Sequence, residues 1–458
     1  MKSDTSLTPQ SLLPAIRRLF ELSAPKIERL QERWDPALGT PVFTVRGAYT
    51  SRGWTEWTQG FQFGSAILHF DATGDERFLE MGRAATVERM ASHLTHVGVH
   101  DHGFNNVSTY GNLLRLMREG RLPADDWQAR FYELALKVSG AVQAARWTRL
   151  GPDLGYIHSF NGPHSLFADT MRSLRALGLA HQLGHVLMAE GDRPVSLLER
   201  LLQHAETTAR FNVYFGNGRD AYDVRGRVAH ESIFNVNDGA YRCPSSQQGF
   251  SPFTTWTRGL AWILCGYAEQ AEFLSRLPVS AFEGLAEPAR TIQRFLDVAQ
   301  ATADFFIETT PVDGVPYWDT GAPGLARMGD YLGRPAEPFN DHEPVDSSAA
   351  AIAAQGLLRL GNALGARGEA EQGRAYRQAA LTVARTLFAE PYLSTDPRHE
   401  GLLLHSVYHR PNGWDYVPAG RKVPCGESSM WGDYHARELA LLIRREAEGG
   451  AYLKFFLD

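Results

Sequence analysis

The stretch Gly64-Ser65-Ala66-Ile67-Leu68, followed by Ala72-Thr73-Gly74-Asp75 and a second apolar run from Phe78, reads as helix, break, helix. Small residues at 64–66 let a neighbouring helix approach closely, and Gly74 suits a left-handed helix end. The same plan returns at Ala354-Gln355-Gly356-Leu357-Leu358, which runs to Gly368 and a second helix from Glu369. Working outward, helical spacing recurs at 8–33, 60–70, 75–95, 126–146, 165–189, 195–212, 256–275, 291–308, 347–364, 369–388 and 430–446. Alternating period-2 pattern is nearly absent, so strands are expected only in short loop hairpins. A helix pair that cannot bury its apolar face alone must stack on its neighbours. Such pairs, closing into a ring, make an all-α barrel; an open solenoid is the alternative. Closure is favoured because the loops, not the helices, hold the dense polar and aromatic clusters. No linker rich in Pro, Ser or acidic residues divides the chain, so 1–458 reads as a single domain.

Composition narrows the function. The 458 residues are 43% hydrophobic and 21% charged, ample for a large core without disulfide or metal staples. Formal net charge is -6 with no basic block, which argues against a nucleic-acid partner. An acidic ligand would need a local positive spot. Cys243, Cys265 and Cys425 form no C-x-x-C pair, and a low, odd count fits a reducing compartment. No segment approaches the roughly 18 apolar residues of a membrane span, and the N-terminus has no apolar signal core. The localisation expected is cytoplasmic, with no membrane partner. Ten Trp are available either to line a sugar site or to fill a helical core.

Three clusters could carry chemistry. Asp101 lies between two histidines in His100-Asp101-His102-Gly103-Phe104, where it is either a helix cap or a functional acid. Two histidines this close cannot hold one metal ion without further ligands. Asp169 falls inside the apolar run 166–179, where burial would raise its pKa towards that of a general acid. A satisfied core carboxylate is the other reading. Gln248 precedes Trp256-Thr257-Arg258-Gly259-Leu260-Ala261-Trp262, in which Arg258 could hold a carboxylate or tie loops together. Asp346-Ser347-Ser348-Ala349 and Glu427-Ser428-Ser429-Met430 place short polar residues before apolar helices, which capping alone explains. No G-x-S-x-G elbow, P-loop or dinucleotide fingerprint is present.

Taken in order, W-T-Q-G-F-Q-F-G at 57–64, H-D-H-G-F at 100–104, A-D-T-M at 168–171, Q-G-F-S at 248–251, W-T-R-G-L-A-W at 256–262, D-G-V-P-Y-W-D at 313–319, D-S-S-A-A-A-I at 346–352 and W-G-D-Y at 431–434 resemble glycoside hydrolase family 88, the unsaturated glucuronyl hydrolases. The resemblance spans roughly residues 50–440. It implies an (α/α)6 barrel of paired helices. It places the two functional aspartates on Asp101 and Asp169, and sugar-binding residues on Trp57, His230, Gln248, Trp256, Arg258 and Trp262. Ser428 and Ser429 stand where the family has serines that contact a carboxylate. The pattern departs at His102, usually Leu or Ile, at Thr170-Met171-Arg172-Ser173, in Ser251-Pro252-Phe253 and in a longer segment at 390–425.

The resemblance implies hydrolysis that removes a 4,5-unsaturated uronic acid from the non-reducing end of an oligosaccharide. The C4=C5 bond is a vinyl ether: a proton adds at C4, water at C5, and the hemiketal opens to expel the aglycone. In this scheme Asp169 is the acid and Asp101 positions substrate or tunes Asp169. His230, Gln248 and Arg258 hold hydroxyls and the carboxylate, and Trp57, Trp256 and Trp262 are stacking walls. No metal or organic cofactor is implied. The related unsaturated rhamnogalacturonyl hydrolases share parts of the pattern, and a non-catalytic barrel that binds acidic oligosaccharides is the other alternative.

Overall fold

The computed structural model describes residues 1–457. Twelve principal helices alternate between two rings. The outer ring holds α1 (Leu13–Arg33), α3 (Glu76–Arg89), α5 (Asp126–Ala145), α7 (Leu197–Phe211), α9 (Pro288–Thr309) and α11 (Ala370–Leu387). The inner ring holds α2 (Gln59–Thr73), α4 (102–118), α6 (170–182), α8 (Thr257–Leu274), α10 (Ser347–Ala366) and α12 (Met430–Ala447). Around the inner ring α2 packs on α4, α4 on α6, α6 on α8, α8 on α10, α10 on α12, and α12 back on α2. The ring is closed, which makes this an (α/α)6 barrel and excludes the solenoid.

Sequence explains the division. Inner helices such as α8 and α10 are buried nearly all round, as their mostly apolar or small residues require. Outer helices such as α7 and α9 bury one stripe. Glycines set the close approaches inside. A Cβ on Gly64 would strike the Ser108 carbonyl of α4, on Gly103 the Ser173 backbone of α6, and on Gly356 the Cys265 backbone of α8. Gly74 does end α2 in the left-handed conformation, at φ 77°.

Two stretches differ from the sequence reading. Residues 165–189 are not one helix but strand β5 (Ser165–Phe167), α6 and strand β6 (Val186–Ala189). Residues 102–118, which carry little apolar periodicity, form α4 from His102–Asn106, a π turn at Val107–Gly111 and Asn112–Arg118. Gly, Asn, Ser and Thr are poor helix formers alone, but tertiary partners settle them. Asn105 Oδ1 accepts from Gly60 N at 2.8 Å, Asn106 Nδ2 donates to Ser139 Oγ at 2.8 Å, and Asn112 Nδ2 donates to Tyr434 Oη at 3.1 Å. The strands are short: β1 (Thr40–Val45) with β2 (Ala48–Arg52), β3 (Trp147–Arg149) with β4 (Gly155–Ile157), β6 with β7 (Arg193–Ser196), and β5 with β8 (Glu231–Phe234) and β9 (Tyr241–Ser245). Among the described residues no helix is long and apolar enough to cross a membrane. The three cysteines are unpaired.

Candidate active site

The inner helices run the same way, so their N-terminal ends and the loops before them meet at one mouth. Asp101 precedes α4 and Asp169 precedes α6, and neither carboxylate caps its helix. The capping reading of Asp101 therefore falls. So does the placement of Asp169 inside a helix: it sits at the strand-to-helix junction after β5. Both carboxylates, 7% and 8% exposed, converge on His100. Its Nε2 lies 3.2 Å from Asp169 Oδ1 and 3.7 Å from Asp101 Oδ1. Behind it, Gln143 Nε2 and Ser173 Oγ both donate to the His100 carbonyl, at 2.7 Å each.

This geometry reverses the expected electrostatics. Burial raises the Asp101 carboxyl, and the neighbouring Asp169 charge adds to it against the opposing pull of His100; the result is about 6. Burial would raise Asp169 too. His100, which also donates it a hydrogen bond, together with His230 and Arg258, outweighs that and holds Asp169 below the usual carboxylate range. The His100 imidazole is opposed by burial but raised by Asp101 and Asp169. Sequence alone pointed to Asp169 as the carboxyl with the raised pKa; in the fold it is Asp101, because His100 pairs more closely with Asp169.

The β5–β8 pairing brings His230 alongside. Ala168 N donates to the His230 carbonyl at 2.9 Å, and the Phe167 and His230 rings lie 4.5 Å apart. His230 Nδ1 accepts from Gln247 N at 3.0 Å and Gln248 N at 3.4 Å, which leaves the ring proton on Nε2. That nitrogen is buried and has no hydrogen-bond partner among the described residues. Burial drives the His230 pKa down to about 4, so it is a neutral donor.

Arg258 is largely spent on structure. Nη1 donates to the Val407 carbonyl and stands 3.5 Å from Asp346 Oδ2. Nη2 donates to Gln248 Oε1 at 2.9 Å and the Tyr408 carbonyl at 2.8 Å. The guanidinium sits 4.6 Å from both the Trp256 and Trp431 rings. An open fork for a carboxylate is not what the fold presents: this is the loop-tying reading, with Arg258 orienting Gln248. Trp256 is also buried, packed on the His230 ring at 4.8 Å. Trp262 lies in the core against Phe104 and His435, so it is not a stacking wall. Ser428 Oγ donates to the Leu403 carbonyl at 2.7 Å, and Ser429 Oγ caps α12 through Gly432 N. Both serines are fully buried and their hydroxyls are committed to the fold. Trp57 is partly exposed and stacks on Trp431 at 4.9 Å, so it remains a candidate platform.

Sequence reasoning missed several neighbours. His100 was noted only as a flank of Asp101. Phe160, 52% exposed, lies near-parallel to the His100 ring at 6.3 Å. The loop before α12 adds Trp414, 48% exposed and 4.8 Å from His409. Asp415 holds that loop by accepting from Tyr408 N and His409 N. The only hint was length: this is the segment longer than the family pattern. The departures elsewhere are structural. His102 hydrogen-bonds Ser139 Oγ and the His96 carbonyl, at 3.1 Å each. Arg172 is buried in an ion network with Glu269 and Glu438.

An (α/α)6 barrel with two buried carboxylates at its mouth is an arrangement suited to the acid–base chemistry of a glycoside hydrolase. Within that class the chain is a homologue of the unsaturated glucuronyl hydrolases. It is 27% identical over 407 residues to the unsaturated glucuronyl hydrolase of Bacillus sp. (strain GL1), covering 87% of this chain and 89% of that protein. It is 25% identical over 389 residues to that of Formosa agariphila, covering 84% and 78%. The crystal structure of the Bacillus enzyme, responsible for degradation of glycosaminoglycan, superposes with a TM-score of 0.69 at 23% identity, covering 94% and 97% of the two chains. No family model matches the chain.

Proposed function

We propose that this protein removes a 4,5-unsaturated glucuronic acid from the non-reducing end of oligosaccharides by hydrating the C4=C5 bond. The observation that carries the reading is the pair of buried carboxylates bridged by one imidazole. That arrangement keeps an exchangeable proton beside an ionised acceptor near neutral pH. In the free site the proton rests on His100 or Asp101. A uronate entering the mouth adds negative charge, which raises the proton affinity of Asp169, so the His100 Nε2 proton passes to Asp169 Oδ1, 3.2 Å away, and leaves a neutral imidazole. Asp169 then gives the proton to C4, positive charge develops at C5 and is shared by the ring oxygen, and water adds at C5. Asp169 as its conjugate base receives the water's proton. The hemiketal opens and the aglycone leaves; displacement at the anomeric carbon is not needed.

His230 Nε2–H is a free donor for the sugar, and Gln248, fixed by Arg258, supplies an amide. Trp57 and the exposed Phe160 offer apolar faces to the rings. The converging N-terminal ends of the inner helices favour an anion without a basic surface, which answers how a chain of net charge -6 would hold a uronate. We place the protein in the cytoplasm, in keeping with its unpaired cysteines.

The test is a panel of lyase-generated disaccharides differing in aglycone, followed by ultraviolet absorbance of the C=C bond. Loss of absorbance with release of the aglycone is expected. Binding with unchanged absorbance would make this a non-catalytic barrel. Turnover confined to galacturonyl substrates would assign it to the rhamnogalacturonyl class.

A further inference from the structure

Away from the mouth, a surface cavity of about 250 Å³ lies between the β3–β4 hairpin, strand β7 and the first turns of α7. None of the candidate active-site residues lines it. Three arginines reach it from three separate elements: Arg149 on β3, Arg193 on β7 and Arg200 on α7. Elsewhere in this protein arginines are commonly paired with carboxylates, as Arg115, Arg172 and Arg445 are. Here no carboxylate pairs with any of the three among the described residues. The single acid in the lining, Glu199, accepts from Gln203 Nε2 at 3.1 Å.

The cavity also shows signs of being built. The Arg200 guanidinium lies 3.9 Å from the Trp147 ring centroid, a cation–π contact that restrains it. Trp147 is in turn packed so closely on Gly155 that a Cβ there would strike the indole. Arg200 Nη1 is buried from solvent and has no hydrogen-bond partner among the described residues. A buried guanidinium nitrogen without an acceptor is costly, and an anion would relieve it. Burial, together with Arg193 and Arg149, lowers the Arg200 pKa to about 10 against the opposing effect of Glu199.

We propose that this cavity is a second ligand site, which takes a tetrahedral oxyanion carried on a small molecule, such as a sugar phosphate. Three guanidinium forks offer more donors than the two oxygens of a carboxylate can use, whereas a phosphate or sulfate group presents three or more. Three arginines less Glu199 leave a charge of +2, which matches a phosphate monoester dianion better than a singly charged sulfate ester. The proposal does not depend on the activity assigned to the barrel mouth.

The test is isothermal titration of the full-length protein at constant ionic strength with inorganic phosphate, glucose 6-phosphate and glucose 6-sulfate. Saturable binding of glucose 6-phosphate is expected, at least tenfold weaker in an Arg149→Ala/Arg193→Ala double variant. Both side chains are exposed and make no ion pair among the described residues, Arg149 Nε donating only to the Gly151 carbonyl at 2.8 Å, so the variant should keep its melting temperature and its turnover. Asp101→Asn should bind as tightly as the parent protein. Binding of the phosphate ester should weaken between pH 7.5 and pH 5.5, as the dianion takes up a proton near pH 6, while that of the sulfate should not. Absence of saturable binding, equal affinity in the double variant, or loss of binding in Asp101→Asn would each overturn the proposal. Tighter binding of the sulfate than of the phosphate would overturn the charge match.

Discussion

Replacing Asp101 by Asn removes a carboxyl whose folded-state pKa is raised from its usual 3.8 to about 6. A group raised in this way favours folding when protonated, and that contribution is lost as pH climbs through about 6. Above that pH the native protein holds an ionised carboxylate in a desolvated place beside Asp169. At about 1.4 kcal/mol per tenfold change in proton affinity, moving from 3.8 to about 6 costs about 3 kcal/mol at pH 8. Asn keeps the shape and carries no charge, so Asp101→Asn should stabilise the protein at pH 8. Some of the gain is given back, because Asp101 also supports the His100 imidazolium. A net gain of about 1–3 kcal/mol is expected, shrinking towards zero at pH 4 where Asp101 is protonated in the folded state. For a chain of 458 residues the unfolding entropy is about 1 kcal/mol/K, so the melting temperature should rise by about 1–3 °C at pH 8. Urea titrations of both proteins at pH 8 and pH 4 measure it directly, and the same samples assayed on an unsaturated disaccharide should show impaired turnover. An Asp101→Asn protein that is no more stable at pH 8, or whose stability difference is the same at both pH values, would refute the electrostatic reasoning.

Asp169→Asn should leave substrate binding in place while kcat falls by about 10²–10⁴-fold, since the lost proton transfer belongs to the transition state. A folded variant that still consumes the C=C chromophore at near the parent rate would transfer the acid role to Asp101. Arg258→Ala should lower the melting temperature as well as raise KM, because the side chain ties Gln248 to the Val407 and Tyr408 carbonyls; a rise in KM with unchanged stability would restore the open carboxylate clamp. His230→Ala should raise KM for the sugar through loss of the Nε2–H donor, measurable by steady-state kinetics. Activity should survive exhaustive chelation, because acid–base chemistry at Asp169 suffices and His100 and His102 hydrogen-bond to different partners; activity lost to chelator and restored by a metal would overturn this.

Apolar period was enough to place the outer helices and most of the inner ones, since an amphipathic or wholly apolar segment has few other ways to bury its surface. Gly74 could be read as a helix end because only a residue without Cβ enters that conformation freely. The motif order pointed to Asp101 and Asp169 and the family resemblance to His230, and short polar residues before helices were readable as caps: Asp346 accepts from Ser348 N and Ala349 N, and Ser429 from Gly432 N. Tertiary structure decided the rest. The polar segment 102–118 becomes a helix only because Gly60, Ser139 and Tyr434 meet its Asn side chains. Whether a Trp is wall or core depends on what lies beyond it, so Trp57 and Trp262 look alike in sequence and part company in the fold. The proton affinities of Asp101 and Asp169 are likewise a matter of distance. Each is buried, and local sequence gives both the same upward push. What separates them is His100 Nε2, 3.2 Å from one carboxylate and 3.7 Å from the other, together with His230 and Arg258, which act on Asp169; the packing of α4 against α6 sets the first of these.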